Sequence, residues 1–497
     1  MKNELTSQTW RWFSDRYTTS CCRSYVHIAS TSPVNRSSSV RRSGPGIQPL
    51  IEFLDCLIAQ MAEEMEEIAD HHEAENSEEE EDDGEEEEGV DRDVEEEEDG
   101  VLLEHELSAA ADDTFELDTP AERSGHVAVS DGVYMYVWGG YKNTQTTEFL
   151  DFYLPRNEIW TYNTETRRWT RTIAEGDVPP SMSGSCAVCV DGVLYLFGGH
   201  HARGNTNQLY RMPLRATQSL RWEKMRRLKG LAPTCKDKLG CWVHQNRLVF
   251  FGGYGYAPQG SHLGTFEYDE TSFWANGAGR GWNNHLHVLD LETHTWSQPA
   301  TQGNPPSPRA AHACATIGKR GYVFGGRYRE HRLNDLYYIN MDTWEWNEMS
   351  VSQQGPLGRS WHSFIPVSPD HIFLFGGFTT DRQTLSDAWL YCVSRNEWKP
   401  YKHSNTESPR LWHTACYGPD GEVFVFGGCA NNLLSHQRAA HSNEVLIFTV
   451  QPKSLVRCCM EVVLQHREQL ATFWEHLPKH LLQRLVQHLS GINTLGS

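Results

Sequence analysis

The chain has 497 residues, enough for two or three domains, and its 44 Lys and Arg against 66 Asp and Glu give a formal charge of −22. That charge is local. Residues 62–99 hold 24 acidic residues and one Arg, so −23 sits there and the rest carries +1, which excludes a general nucleic-acid binder. No apolar run is long enough to span a bilayer, and thirteen Cys without a disulfide-like framework point to a reducing, intracellular compartment.

Residues 1–60 are rich in Ser and Arg and are predicted to be a disordered leader, with a short amphipathic stretch from Pro49 to Ala62. Met1 to Arg23 lacks the apolar core of a secretory signal. Residues 61–112 form an acidic segment that is predicted to be disordered, since it offers little apolar area and repels itself.

From residue 113 the texture changes. Six times a short apolar strand runs into a double glycine: Gly139-Gly140, Gly198-Gly199, Gly252-Gly253, Gly325-Gly326, Gly376-Gly377 and Gly427-Gly428. The intervals are 59, 54, 73, 51 and 51 residues, and a repeat near fifty with this punctuation is the signature of a kelch β-propeller. Arg-x-x-His recurs at Arg123, Arg309, Arg359 and Arg410, opening the first strand of a unit. A Trp marks the fourth strand at Trp169, Trp222, Trp296, Trp346 and Trp398, where it serves inter-blade packing. The sixth unit lacks its Trp-bearing strand. An open edge leaves backbone groups unpaired, so residues near 114–118 are expected to supply that strand and clasp the ring. The fold class is therefore all-β: a six-bladed propeller over 113–450, with a short C-terminal α-helical box over 451–490 and a flexible tail over 491–497.

In the box, Leu455, Cys459, Val462 and Val463 share one helical face, and Pro478 suits the first turn of a second helix with Leu481, Leu482, Leu485 and Leu489 as its apolar face.

The residues after the glycine pairs lead into loops at the shaft: Tyr141, His200, Tyr254, Arg327, Phe378 and Cys429. Arg332 follows five residues after Arg327, the long third-blade insertion adds Arg280 and Trp282, Lys238 opens blade three, and Ser360 and Trp361 open blade five. Cationic and aromatic groups at one end of a shaft offer charged donors and stacking faces to a ligand. Arg327 and Arg332 have a bland alternative, pairing with blade acids such as Asp335 or Asp387. Cys186 and Cys189 lie three apart in an alternating strand and so face opposite ways, and His200-His201 lacks companion ligands. There is no Gly-x-Ser-x-Gly, phosphate loop or dinucleotide fingerprint, so no catalytic residue, metal or cofactor is expected.

Over roughly residues 120–497 the chain resembles the kelch-repeat substrate receptors of cullin-RING ubiquitin ligases. The resemblance rests on Gly198-Gly199-His200-His201, Arg327-Tyr328-Arg329, Gly358-Arg359-Ser360-Trp361-His362-Ser363 and Cys429-Ala430-Asn431-Asn432-Leu433-Leu434. It implies a non-catalytic subunit that reads C-terminal Gly-Gly degrons. Arg327, Arg332 and Ser360 would grip the carboxylate, Lys238 and Arg280 the neighbouring carbonyls, and Tyr141, Tyr254, Trp282 and Trp361 would form the walls. It further implies an Elongin-binding box on Leu455, Cys459 and Val463, a cullin-2 box on Leu477, Pro478 and Leu481, and as partners Elongin B, Elongin C, cullin-2 and its RING subunit. The expected compartment is the nucleus, with cytosol second, and neither nucleic acid nor membrane is expected as a partner. The small terminus Gly496-Ser497 suggests self-association through a neighbour's pocket. The alternative reading is a kelch scaffold for a transcription factor or cytoskeletal protein. A propeller enzyme, a copper oxidase or a sialidase, would need a metal or acid–base set that these residues do not offer.

Overall fold

The computed structural model describes residues 118–143, 151–215, 219–260, 262–274, 279–350, 355–435, 438–453 and 455–470, then Trp474, Leu477, Lys479, Leu481, Leu482, Leu485 and Val486. The expected leader, acidic segment and C-terminal tail lie outside these residues, as do Pro478 and, but for Asp118, the strand expected near 114–118. The chain divides into two compact units, 1–103 and 104–497, and every described residue belongs to the second.

That unit is a six-bladed propeller of antiparallel meanders. Blade one comprises Val127–Asp131, Tyr134–Trp138, Glu158–Asn163 and Arg168–Ile173. Blade two is built from Cys186–Val190, Val193–Phe197, Leu209–Pro213 and Arg221–Lys224. Blade three follows with Gly240–His244, Arg247–Phe251, Leu286–Asp290 and Thr295–Ser297. Blade four has Ala313–Ile317, Arg320–Phe324, Leu336–Asn340 and Glu345–Met349, and blade five Ser363–Ser368, His371–Phe375, Ala388–Cys392 and Glu397–Tyr401. Blade six shows three strands among the described residues, Thr414–Tyr417, Glu422–Phe426 and Val445–Thr449.

The second strand of each blade is apolar along nearly its whole length because both its faces are covered by neighbouring blades. Phe250, Phe251, Phe324, Phe375 and Phe426 are at most 3% exposed. Each outer-strand Trp reaches back to the preceding blade. Trp222 meets Trp138 at 5.5 Å between ring centroids, Trp296 meets Phe197 at 5.6 Å, Trp346 meets Phe251 at 5.1 Å and Trp398 meets Phe324 at 5.1 Å. Trp169 of blade one completes the circle on Phe426 of blade six at 4.8 Å. Cys186 and Cys189 pack in different inter-blade clusters, as the strand alternation requires.

A closed ring of backbone hydrogen bonds counts the blades independently. The N–H of Gly184 donates to the carbonyl of Gly125, Lys238 to Gly184, Ala311 to Lys238, Trp361 to Ala311, Trp412 to Trp361, and Gly125 to Trp412, at 2.8–3.0 Å. All six ring residues have φ between 54° and 69°, the left-handed region. At Gly125 a Cβ would also come within 3.0 Å of the Trp412 indole, a tight contact that favours glycine at this ring position.

The Arg-x-x-His arginines are structural. Arg309 is fully buried and donates to both carboxylate oxygens of Asp335 at 2.7 and 2.8 Å and to the Gly325 carbonyl at 3.0 Å. Arg359 repeats this with Asp387 at 2.7 and 2.8 Å and the Gly376 carbonyl at 2.9 Å. Arg410 holds Glu444 at 2.6 Å.

Beyond the propeller, helix α1 spans Leu455–Gln465 and α2 spans Arg467–Leu470. Arg457 lies 3.9 Å from Asp420, in the turn between the first two strands of blade six, and donates to Glu461 at 3.1 Å, tying α1 to that turn. No helix among the described residues is long and apolar enough to cross a membrane.

Candidate ligand-binding site

One face of the propeller carries two tiers of six residues each. The lower tier is the hydrogen-bonded ring. The upper tier consists of the residues that follow the glycine pairs. Each upper residue pairs antiparallel with the residue just before a ring position: Tyr141 with Ser124, His200 with Ser183, Tyr254 with Asp237, Arg327 with Ala310, Phe378 with Ser360 and Cys429 with Leu411. The glycine pair permits this. A Cβ on Gly326 would stand 3.0 Å from the Ala310 carbonyl and 2.8 Å from the His312 side chain.

All nine residues expected at the site fall in one connected set. The Arg280 guanidinium lies 5.5 Å from the Tyr254 ring, and Lys238 Nζ lies 5.8 Å from the same ring and 5.4 Å from Trp412. Trp412 stacks on Trp361 at 5.1 Å and meets Tyr141 edge-on at 5.5 Å. Trp361 reaches Phe378 at 6.1 Å, and Phe378 lies 5.5 Å from the Arg332 guanidinium. On the other side Tyr254 meets Trp282 at 5.5 Å, and Arg327 lies 5.3 Å from Trp282. Arg327 and Arg332 face each other directly across a two-stranded hairpin, Arg327–Tyr328 with His331–Arg332.

The alternative partners for these cations are already taken, because Asp335 and Asp387 are held by Arg309 and Arg359. Arg327 donates to the Arg329 carbonyl at 2.6 Å and, at 3.4 Å, to the largely exposed Glu330. Arg332 is 9% exposed, donates to the Glu330 carbonyl at 3.1 Å, and leaves its buried Nε without a partner. Its pKa is lowered to about 10, chiefly by burial and also by the nearby Arg327 and Arg382, with Glu330 opposing. Beside it the Ser360 hydroxyl and the Trp361 indole N–H are also buried without partners. Lys238 pairs with the buried Asp237, whose other oxygen has no partner. The pocket is thus rich in donors and lined by aromatic rings, the chemistry of an anion or carbonyl receptor.

Trp412 escapes the sequence reading as a site residue, whereas Phe378 was expected at the shaft. Trp412 sits at the ring's centre of contacts, and Phe378 carries Arg332. The signal for Trp412 was its place in Arg-x-x-His, where Gly125, Ala311 and Trp361 are its counterparts. Asp370, His371 and Cys392 bring possible metal-ligand atoms within 4.8 Å of one another. The Asp370 carboxylate there accepts from the Ser394 N–H at 2.7 Å and hydroxyl at 2.8 Å, which makes it a turn-closing group.

In the C-terminal box, Met460, Val463 and Leu470 are buried at helical spacing, as are Leu481 and Leu485. Val463 and Leu481, expected to face partners, are therefore interior groups of this segment. Cys459 and Leu477 stay partly exposed, and the Leu455 side chain lies outside the described residues.

The fold and this two-tiered face define a kelch-repeat β-propeller. The KLHDC2/KLHL20/DRC7 Kelch-repeats domain matches residues 99–210 and 125–377, and the chain belongs to this family. Kelch domain-containing protein 2 of Bos taurus is 63% identical over 400 residues, covering 80% of this chain and 98% of the relative. The Homo sapiens protein of that name is 64% identical over 386 residues, covering 78% and 95%. Kelch domain-containing protein 1 of Mus musculus is 45% identical over 372 residues, covering 74% and 90%.

Proposed function

We propose that this kelch protein is the non-catalytic substrate receptor of a cullin-2 RING ubiquitin ligase and binds proteins by a C-terminal Gly-Gly. The observation that carries this is the pairing of Arg327 and Arg332 across one hairpin, with core carboxylates committed elsewhere, beside the orphaned hydroxyl of Ser360. A free C-terminal carboxylate supplies the missing acceptors. Aromatic walls from Tyr141, Tyr254, Trp282 and Trp361 leave little room for a Cβ on the last residues, so glycine is selected by exclusion. Elongin B and Elongin C would dock on α1 through Leu455 and Cys459, with cullin-2 and its RING subunit on the segment that begins at Leu477 and Pro478. The nucleus is the proposed compartment, with cytosol second, and the tail Gly496-Ser497 is proposed to occupy a neighbour's pocket until substrate displaces it.

A peptide ending in Gly-Gly is expected to bind the full chain, and its C-terminal amide to bind ten- to a hundredfold more weakly per lost bond, about 1.5–3 kcal/mol. Equal affinities in calorimetry would end the carboxylate reading. Leu455→Ala combined with Cys459→Ala is expected to abolish co-purification of Elongin C while leaving peptide affinity intact. Retained Elongin C would sink the box assignment alone.

A further inference from the structure

The upper tier opens outward through six connections, one per blade, each leaving from a residue that follows a glycine pair. Five of them carry a cation beyond the pocket wall. Lys142 follows Tyr141 in blade one. Arg203 lies in the turn between His200–His201 and Gly204–Asn205 in blade two. Arg329 lies in the turn between Arg327–Tyr328 and His331–Arg332 in blade four. Arg382 tips the loop closed by the Phe378 and Thr384 bridge in blade five, and Arg438 lies in the loop closed by the Cys429 and His441 bridge in blade six. Arg329 is paired with Glu267 of the blade-three insertion. Among the described residues no carboxylate lies within 4 Å of the charged group of Lys142, Arg203, Arg382 or Arg438. Their fields nonetheless reach inward: Arg382 helps to lower the pKa of Arg332, and Lys142 that of His441. Acids interrupt the collar in three blades: Glu330 follows Arg329 in blade four, Asp381 precedes Arg382 in blade five, and blade three presents Glu267, Asp269 and Glu270 beside Arg280.

We infer that these cations form a basic collar around the mouth, and that the collar selects tails carrying Asp or Glu in the residues upstream of the terminal pair. The inference rests on the carboxylate-receptor reading and adds a substrate class to it. A peptide held by its C-terminus in the shaft must leave through the mouth, and an extended chain gains about 3.3 Å per residue. A few residues upstream it passes the collar at distances within the Debye length of roughly 10 Å at 0.1 M salt. Exposed pairs of this kind are individually weak. Acting together around a low-dielectric opening, they raise the rate of encounter with oppositely charged ligands and hold the tail once bound. Acid on the tail is disfavoured along blades three and four, where Glu267, Asp269, Glu270 and Glu330 stand and Arg329 is already paired, so the tail is directed over blades five, six, one and two.

Three peptides sharing the same free-acid Gly-Gly end test this, with three Asp, three Ser or three Lys at the preceding variable positions, each measured on the full chain by stopped-flow and calorimetry at 50 and 300 mM salt. The acidic peptide should bind about tenfold or more tighter than the basic one at 50 mM salt, mostly through association rate, and the gap should shrink to about threefold at 300 mM. The triple variant Arg203→Ala, Arg382→Ala, Arg438→Ala should erase most of the preference while holding the Ser peptide within about twofold of wild type. Equal affinities for the acidic and basic peptides on wild type overturn the inference, as does a preference that survives in the triple variant. Should that variant fail to fold, single charge reversals at Arg203 and Arg438 must each narrow the gap. The Ser peptide and its C-terminal amide separate the two readings. If neither binds, the carboxylate receptor itself is wrong; if only the free acid binds but charge upstream is ignored, the collar alone is wrong.

Discussion

Arginines of one chemical type have opposite roles within a few residues of each other. Arg309 and Arg359 are fully buried and spend their forks on Asp335 and Asp387 and on the Gly325 and Gly376 carbonyls, so removing either empties a packed site and deletes three charge-assisted hydrogen bonds at once. Arg309→Ala or Arg359→Ala is expected to cost about 3–5 kcal/mol in denaturant unfolding. Arg327 holds only an exposed acid and a carbonyl, so Arg327→Ala should change stability by about 0.5 kcal/mol or less while abolishing most binding of a Gly-Gly peptide. Arg332→Ala removes a desolvated cation, and should leave the fold as stable or more so while losing the ligand. Arg327→Lys and Arg332→Lys should also bind poorly, because an ammonium does not reproduce the fork. A variant at 327 or 332 that unfolds, or that binds peptide normally, would move that residue from the ligand to the framework.

At the scale of elements, the strands were legible because burial on both faces writes itself as an apolar run, and the glycine pairs because no other residue passes so close to the preceding turn. The outer-strand Trp positions were legible for the same reason, since a large ring recurs wherever one blade leans on the last. The ring of left-handed residues was not. Gly, Lys, Ala and Trp share the position, and only the backbone reveals their equivalence. Blade three hides it further, because Lys236 stands where blades one, four, five and six have Arg, and Leu239 where they have His. For the site, the nine expected residues converge. Trp412 was overlooked because nothing in the Arg-x-x-His pattern marks the residue before the His as facing the shaft. In the box, a periodic apolar stripe cannot say whether it meets its own chain or another, and Val463 and Leu481 turn inward. The seam between blades one and six has its own test. Trp169→Ala removes the ring that meets Phe426 at 4.8 Å and Tyr162 at 4.9 Å, and should cost about 3 kcal/mol with faster proteolysis at that seam. A loss below about 1 kcal/mol would mean the circle is held shut by other groups.

The whole ring carries titratable groups in its interior, and their signs set how stability varies with pH. His126, His312, His362 and His413 are buried one in each of four blades, and burial lowers each pKa, to about 3 for His312 and His413. Each folded value lies below the unfolded 6.5, so the unfolded chain binds more protons as pH drops from 6.5 toward 3, and stability falls over that range. Lys236 adds a second limb. It is 1% exposed, donates only to Asn283 Oδ1 at 3.2 Å, and burial lowers its pKa from 10.5 to about 7. Between about 7 and 10.5 the unfolded chain holds a proton that the folded chain does not, so stability rises with pH there. Buried thiols oppose this above their ordinary value of 9, because burial raises the pKa of Cys314 and Cys416 and folding then disfavours the thiolate. The window free of that opposition is pH 7 to 8.5. Thermal midpoints should therefore climb from pH 4 to 6.5 and keep climbing from 7 to 8.5, where most proteins are flat. Lys236→Met should raise the midpoint at pH 7 and flatten the upper limb while leaving the acid limb unchanged. If Lys236→Met leaves the rise between pH 7 and 8.5 in place, the proton belongs to another group, and the buried lysine is charged throughout.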